Sequence, residues 1–265
     1  MKKGIDVSHH QGNIDWSIVK SQIDFAIIRC GYGDNIKQQD DRKFETNFTE
    51  CEKLGIPKGI YIYSYARNTA QAKSEAQHVL RLLNGRYIEL PIFLDLEEPA
   101  NEKLHKPTLS SIYSTFEYLI TKAGYRCGVY ANKYWLESIL PQEVSSTDYI
   151  WLAQYSNQPT YRGEYGIWQY TSKGRIKGIT SNVDLNNLYN ENWIIANTNC
   201  KPTAPTAPKE EIIYHTVVKG DNLTKIARKY ATTLNELSRL NPQIKNLNLI
   251  YIGDKVRVKW CLKRR

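Results

Sequence analysis

From its start to about residue 195 the chain alternates between short apolar runs and amphipathic stretches. Gly4 to Ser8 reads as a strand. Phe25-Ala26-Ile27-Ile28-Arg29-Cys30 reads as a strand buried on both faces, and Gly59 to Tyr65, rich in β-branched and aromatic residues, as a third. Leu90 to Asp95, Gly128 to Ala131, Asp148 to Gln154, Gly166 to Thr171 and Val183 to Leu188 follow with the same character. Between the early strands lie segments of helical period at 15–22, 42–54, 69–84 and 108–123, the second closed by Gly55 with Pro57 just beyond. This alternation predicts a parallel sheet with crossover helices. That many strands in about 190 residues predict closure into a barrel rather than an open sheet. Helical segments are lacking between the last strands, so the expected fold is α/β, an irregular TIM-like (β/α) barrel.

The pattern then breaks. Lys201 to Pro208 is a Pro/Thr/Ala spacer without apolar periodicity, of the kind that favours extended chain between domains. The expected division is a domain over 1–196, a linker over 197–213 and a small domain over 214–260. In the last, Thr216-Val217-Val218 reads as a strand and Gly220-Asp221 as a turn. Helices are expected at 222–230 and 233–240, an Asn241-Pro242 break after them, and a strand at 255–259. The unit is β-α-α-β, small but able to hold a core.

Charge sharpens the division. Residues 1–199 hold 22 Lys+Arg against 22 Asp+Glu, and residues 200–265 hold 14 against 5, so the whole +9 falls on the tail. A neutral larger domain argues against nucleic acid as the partner, and a basic tail suits an anionic polymer equally well. No apolar run approaches the roughly 18–20 residues of a membrane span, so membrane insertion is not expected. Met1-Lys2-Lys3-Gly4-Ile5-Asp6 has a basic start without an apolar stretch behind it, which does not read as a secretory signal. Synthesis in the cytoplasm is the expectation. Cys30, Cys51, Cys127, Cys200 and Cys261 are widely spaced, and Cys30 and Cys127 lie in apolar runs as small hydrophobes. No zinc-ligand spacing occurs, and no metal or cofactor is expected.

Asp95-Leu96-Glu97-Glu98-Pro99 ends an apolar strand. Residues i and i+2 of a strand point the same way, so Asp95 and Glu97 would share a face. Two carboxylates in one cleft cannot ionise independently, and one is forced to keep its proton. A glycosidase needs that pairing: a protonated acid for the leaving oxygen and an ionised partner for developing positive charge. A helix N-cap is the competing explanation. Asp6 ends the first strand and Asp184 starts or ends the last, and in a closed barrel those strands are neighbours. Aromatic residues suit a sugar cleft: Tyr61, Tyr63 and Tyr65 alternate along one strand, and Trp151, Tyr155, Trp168 and Tyr170 lie in the last third, although most such rings serve as core.

Residues 1–195 resemble glycoside hydrolase family 25, the muramidases. The matching stretches are Gly4 to Trp16 (Gly-Ile-Asp-Val-Ser-His-His-Gln-Gly-Asn-Ile-Asp-Trp), Phe25 to Arg29 with Gly31-Tyr32-Gly33, Gly59 to Ala66, Asp95-Leu96-Glu97, Trp151 to Tyr155, Trp168 to Ser172 and Val183 to Asn186. The resemblance implies cleavage of the β-1,4 bond between N-acetylmuramic acid and N-acetylglucosamine in peptidoglycan. It implies Glu97 as general acid/base, Asp95 as the residue that steers the substrate's N-acetyl group, and Asp6 and Asp184 as the rest of an acidic floor. Retention through that acetamido group is implied, and an enzyme carboxylate as nucleophile stays open. Tyr32, Tyr61, Tyr63, Gln154, Tyr155, Trp168 and Gln169 are the expected substrate contacts.

Residues 214–259 resemble a LysM module, through Val218 to Leu223, Ile226-Ala227, Leu237, Asn241 to Ile244 and Ile252 to Val256. Such modules bind N-acetylglucosamine-containing glycans. The implied groove uses Gly220, Asp221, Asn222, Leu223 and Thr224 with Pro242, Gln243 and Ile244. Leu223 and Ile226 read mainly as core, Ile244 reads equally as core or contact, and Asn222 stands where Thr is usual. Together the two modules imply a phage-type lysin or autolysin acting on peptidoglycan glycan strands, released from the host cytoplasm by a separate holin. The alternatives are a glycan-binding protein without activity and a chitin-directed hydrolase. An amidase is disfavoured, since neither a zinc set nor a Cys-His pair is evident.

Overall fold

The structure is a computed structural model that describes residues 1–195, 211–230, 234–241, 243, 244, 246 and 249–261. The chain divides into two compact units at Pro205/Thr206.

In the larger unit eight strands close a barrel in sequence order: β1 (Lys2–Val7), β2 (Phe25–Tyr32), β3 (Lys58–Tyr63), β4 (Ile92–Asp95), β5 (Cys127–Asn132), β6 (Ile150–Ala153), β7 (Ile167–Gly174) and β8 (Val183–Leu188). The helices are α1 (Trp16–Val19), α2 (Phe44–Leu54), α3 (Thr69–Leu83), α4 (Lys106–Lys122) and the single turn α5 (Gln142–Ser145). Local chemistry sets their ends. Asp15 caps α1 by accepting from Ile18 N, Asn68 caps α3 by accepting from Gln71 N, and α2 ends on Gly55 in the left-handed region. A π-helical turn over Trp135–Ile139 went unforeseen.

Strands β1 to β7 run parallel, as expected, but β8 is antiparallel to both β7 and β1. The short β7–β8 connection carries no crossover helix, so the chain can only return in the reverse direction. Side chains alternate across the wall. Phe25, Ile27, Phe93, Tyr130, Trp151 and Ile167 fill the interior, while Ile28, Ile60, Leu94, Val129 and Leu152 face the helices. Each fully buried side chain of this size contributes roughly 1.5–3 kcal/mol. The pairing of β2 with β3 slips between Arg29 and Gly31, leaving Cys30 unpaired. A Cβ on Gly31 would lie 2.5 Å from the Gln39 carbonyl oxygen, so this bulge admits only glycine. Cys30, Cys51 and Cys127 are buried free thiols.

The smaller unit pairs β9 (Glu211–Thr216) with β10 (Lys255–Cys261), antiparallel, and holds α6 (Leu223–Lys229) and α7 (Leu234–Leu240). Its first strand starts at Glu211 and stops at Thr216, so Val217 and Val218 follow the strand instead of forming it. The core is Val217, Leu223, Ile226, Ala227, Leu237, Val256 and Val258. Asn241 staples α7 to β10: its amide donates to Leu237 O at 2.8 Å and Arg257 O at 2.9 Å, and its oxygen accepts from Arg257 N at 2.8 Å.

Candidate active site at the barrel mouth

The parallel strands deliver their C-terminal ends to one mouth, and β8, being reversed, delivers its start. Asp6, next to last on β1, therefore pairs in register with Asp184, the second residue of β8. Asp95 is the last residue of β4, level with Tyr63 on β3 and Tyr130 on β5. Glu97 lies two residues further on, half-buried. All four acids are within electrostatic reach: Asp6 feels Asp184 and Glu97, Asp95 feels Glu97 and Asp6, and Glu97 feels Asp184.

Burial first, and then this mutual repulsion, keeps protons on the cluster. Asp6 is 5% exposed and pushed up to about 8 by burial and by Asp184, against hydrogen bonds from Asn186 and Gln169. Asp95, 3% exposed, is raised well above the carboxylate range by burial and then by Glu97. Glu97 is raised by burial, with an Asn132 hydrogen bond pulling the other way. Asp184 rises to about 6 through burial. One oxygen of Asp95, Oδ1, is buried without a hydrogen-bond partner. A buried polar atom left open in this way is costly unless something else comes to meet it.

The remaining expected contacts separate by strand parity. Gln169, buried on β7, is a hub: its amide donates to Asp6 Oδ2 at 2.9 Å, and its oxygen accepts from the hydroxyls of Tyr130 and Tyr155, both at 3.0 Å. Tyr155 is 58% exposed at the rim. Tyr61 faces the interior edge-on to Trp151, with ring centroids 5.8 Å apart. Tyr63 donates to Glu98 Oε2 at 3.1 Å. Tyr32 and Tyr63 are level across β2 and β3, and both rings touch that of Tyr65. Two expected contacts commit their side chains elsewhere. Trp168 has the outward parity, packs in the layer facing the helices and donates its indole N–H to Gln154 O at 2.8 Å. The Gln154 side chain is committed to its own loop, accepting from Thr160 N at 3.0 Å and donating to Thr160 Oγ1 at 2.9 Å.

Several residues at the site were missed. Asn186 donates to Asp6 Oδ2 at 2.8 Å and accepts from Trp151 Nε1 at 2.8 Å, and its i+2 spacing from Asp184 was the available signal. Tyr130 and Asn132 likewise alternate at the end of β5. Arg29 supplies a cation that opposes the rise of Asp95. The buried Asp41 anchors it, accepting from Arg29 Nε at 3.0 Å, while Arg29 Nη2 lies 2.6 Å from His9 Nδ1. The same His9 Nδ1 also lies 3.0 Å from Asp41 Oδ2, which joins the three side chains in one cluster. Nothing in the one-dimensional spacing of His9, Arg29 and Asp41 marks them as neighbours. A cavity of about 430 Å³ lined by Tyr161, Tyr165 and Trp193 opens at the starts of β6 and β7, away from this chemistry.

Residues 5–179 match Glycosyl hydrolases family 25, about two thirds of the chain. The chain belongs to that family. Asp184 lies just past the matched stretch and enters the site through its register with Asp6. This family 25 chain is 28% identical over 203 residues to Lysozyme M1 of Streptomyces globisporus, covering 69% of this chain and 66% of that protein. The modular autolysin LytC of Streptococcus pneumoniae, solved in complex with a synthetic peptidoglycan ligand, is 32% identical with a TM-score of 0.61, over 70% of this chain and 46% of that one. The catalytic domain of the endolysin ply40 from bacteriophage P40 of Listeria monocytogenes is 26% identical with a TM-score of 0.63, over 73% and 95%. The chain thus spans just under two thirds of the lysozyme and about half of the autolysin. Residues 215–259 match the LysM domain.

In that LysM domain Leu223 is buried core, which removes it from the expected groove, and Ile226 is core with it. Gly220 (φ +92°), Asn222 and Thr224 are exposed. Asn222 caps α6 by accepting from Lys225 N at 2.8 Å, a task Asn performs at least as well as Thr. Asp221 turns inward, its Oδ2 accepting from Val218 N at 2.9 Å and facing His215 Nε2 at 2.7 Å. Gln243 is exposed, Ile244 packs partly against the core, and Pro242 lies outside the described residues.

Proposed function

We propose that the larger unit is an N-acetylmuramidase that cuts the β-1,4 bond between N-acetylmuramic acid and N-acetylglucosamine. The observation that carries this reading is the crowding of four carboxylates at one mouth, with a buried oxygen of Asp95 left without a donor. Of the four, Asp6 and Asp95 are buried, whereas Glu97 is half-buried and can reach a bound glycan. Glu97, whose hold on its proton is strengthened by burial, gives that proton to the leaving glycosidic oxygen and later takes one from water. The open Oδ1 of Asp95 receives the N–H of the substrate's acetamido group and turns its carbonyl oxygen toward the anomeric carbon. Asp184, which releases its proton above about 6, adds negative charge beneath the oxocarbenium-like transition state, and Asp6, protonated up to about 8, stays neutral beside it. Tyr32, Tyr63 and Tyr155 offer ring faces and hydroxyls to neighbouring sugars.

The LysM unit, joined through a linker that ends before β9 at Glu211, holds the enzyme at the polymer and raises its effective concentration there. Gly220, Asn222, Thr224 and Gln243 are the residues expected to touch glycan. The assembly fits an endolysin that reaches the wall from the host cytoplasm through a separate holin. No helix among the described residues is long and apolar enough to cross a membrane. The test is Glu97→Gln: it should stop the release of reducing ends from purified cell walls while wall binding persists. Lysis at the wild-type rate would remove the assignment. Reducing ends from chitin but not from peptidoglycan would favour the chitin-directed alternative.

A further inference from the structure

Behind the tyrosines of the mouth lies another buried carboxylate, one that the proposed chemistry does not use. Glu75 sits on the inner face of α3 beside Ala72, Ala76 and Val79 and is 1% exposed. Its Oε2 accepts from Ser64 Oγ at 2.7 Å and its Oε1 from Tyr65 N at 2.8 Å. The groups that act on it are Ser64, Tyr65, Ala66 and the acid Asp34, none of them a cation. Burying a carboxylate without a counter-ion is destabilising, and burial accordingly pushes Glu75 up to about 7. A residue kept at such a cost calls for a task.

The hydrogen bonds show the task. Residues 64–66 form the corner where β3 leaves the barrel, directly beside Asp95. Ser64 N donates to Asp95 O at 3.0 Å, Ala66 N to Ser64 Oγ at 3.3 Å, and Asn101 Nδ2 to Ala66 O at 3.0 Å. Glu75 grips this corner from below at two consecutive residues. From the corner Tyr65 projects, 46% exposed, its ring centroid 5.1 Å from that of Tyr63 and 5.9 Å from that of Tyr32. The arrangement is a wall of three rings beside Asp95, with Glu75 fixing its outermost member.

We propose that Glu75 is a positioning residue that holds Tyr65, and through it Tyr63 and Tyr32, as a rigid face on which a sugar ring of the glycan packs next to Asp95. The inference rests on the muramidase reading and adds Tyr65 to the substrate contacts. Its signature is in KM, because Asp95 and Glu97 keep supports beyond the Ser64 bond: β4 pairs with both neighbours, and Leu96 N donates to Tyr130 O at 2.9 Å.

The test uses the full chain and soluble peptidoglycan oligosaccharides, with reducing ends measured over a range of concentrations. Loss of one ordered stacking face predicts that Glu75→Ala and Tyr65→Ala each raise KM by about fivefold, with kcat within about twofold of wild type. If both act through the same wall, the double variant is no worse than either single one. Glu75→Gln should recover most of the affinity, since its oxygen accepts from Tyr65 N and its amide donates to a rotated Ser64 hydroxyl. Should Glu75→Ala not fold, Ser64→Ala replaces it in the cycle with Tyr65→Ala. Unchanged KM, or effects that multiply in the double variant, overturn the proposal. An inactive Glu97→Gln alongside such a result would sink this inference alone, and an active Glu97→Gln would sink the muramidase reading.

Discussion

Asp6→Asn should make the protein more stable and less active, with the gain in stability growing as pH rises. Asp6 is pushed from an ordinary 3.8 to about 8 in the fold. The sign follows from where the proton sits. With its pKa raised, the folded form keeps the proton that the unfolded form has released, so the contribution of Asp6 to stability is whole below 3.8 and is lost as pH rises through 8. At pH 7 the unfolded carboxyl has gained about 1.4 kcal/mol for each pH unit above 3.8, which comes to a little over 4 kcal/mol. Because Asp6 shares its burden with Asp184, the gain from replacing it is on the order of 2–4 kcal/mol at pH 7 and roughly 0.5 kcal/mol at pH 4. For a unit of this size the larger figure is a rise in Tm of roughly 8–16 °C. Asparagine fits the same space, and its oxygen can accept from both Gln169 and Asn186. Thermal melts of both proteins at pH 4 and pH 7, with wall digestion measured in parallel, give the answer. A variant no more stable than wild type at pH 7, or one equally stabilised at both pH values, would falsify the claim that burial holds a proton on this acid.

Other consequences follow from the same contacts. Gln169→Ala removes one of two donors to Asp6 and frees two tyrosine hydroxyls, so it should cost roughly 1–3 kcal/mol in urea unfolding and lower kcat at least about tenfold; a fully active variant would show the hub to be unnecessary. Trp168→Phe loses the bond to Gln154 O and should cost about 1 kcal/mol while leaving KM unchanged, whereas a large rise in KM would return Trp168 to the sugar site. Turnover of soluble oligosaccharides should rise as pH passes about 6, where Asp184 ionises, and fall as pH passes about 8, where Asp6 loses its proton, and a rate still climbing at pH 9 is incompatible with that. Removing residues 211–265 should weaken wall binding and its salt sensitivity together, since that segment carries the excess of positive charge.

What the sequence could and could not reveal divides along the reach of each signal. Alternation and helical period are local, and they located the strands and the crossover helices of the barrel to within a few residues. Strand direction is not local. Val183 to Leu188 has the same pattern whichever way it runs, and only the short return from β7, without a helix, reverses it. That reversal decides the chemistry of the site. Were β8 parallel, its start would lie at the far end of the barrel and Asp184 would be a barrel-length from Asp6; running antiparallel, it sets the two acids level. The same limit explains the substrate contacts. On β7, Trp168 and Gln169 belong to one motif, yet parity sends the indole into the helix-facing layer and the amide to Asp6. Aromatic content had favoured Trp168, while the buried amide beside it does more for the acids. Asn186, Asn132 and Arg29 are ordinary polar residues until closure of the barrel sets them against Asp6, Glu97 and Asp95. An acidic floor of this kind can therefore be inferred from strand-end carboxylates, but the donors and the cation that make its burial tolerable come into view only with the register of the strands.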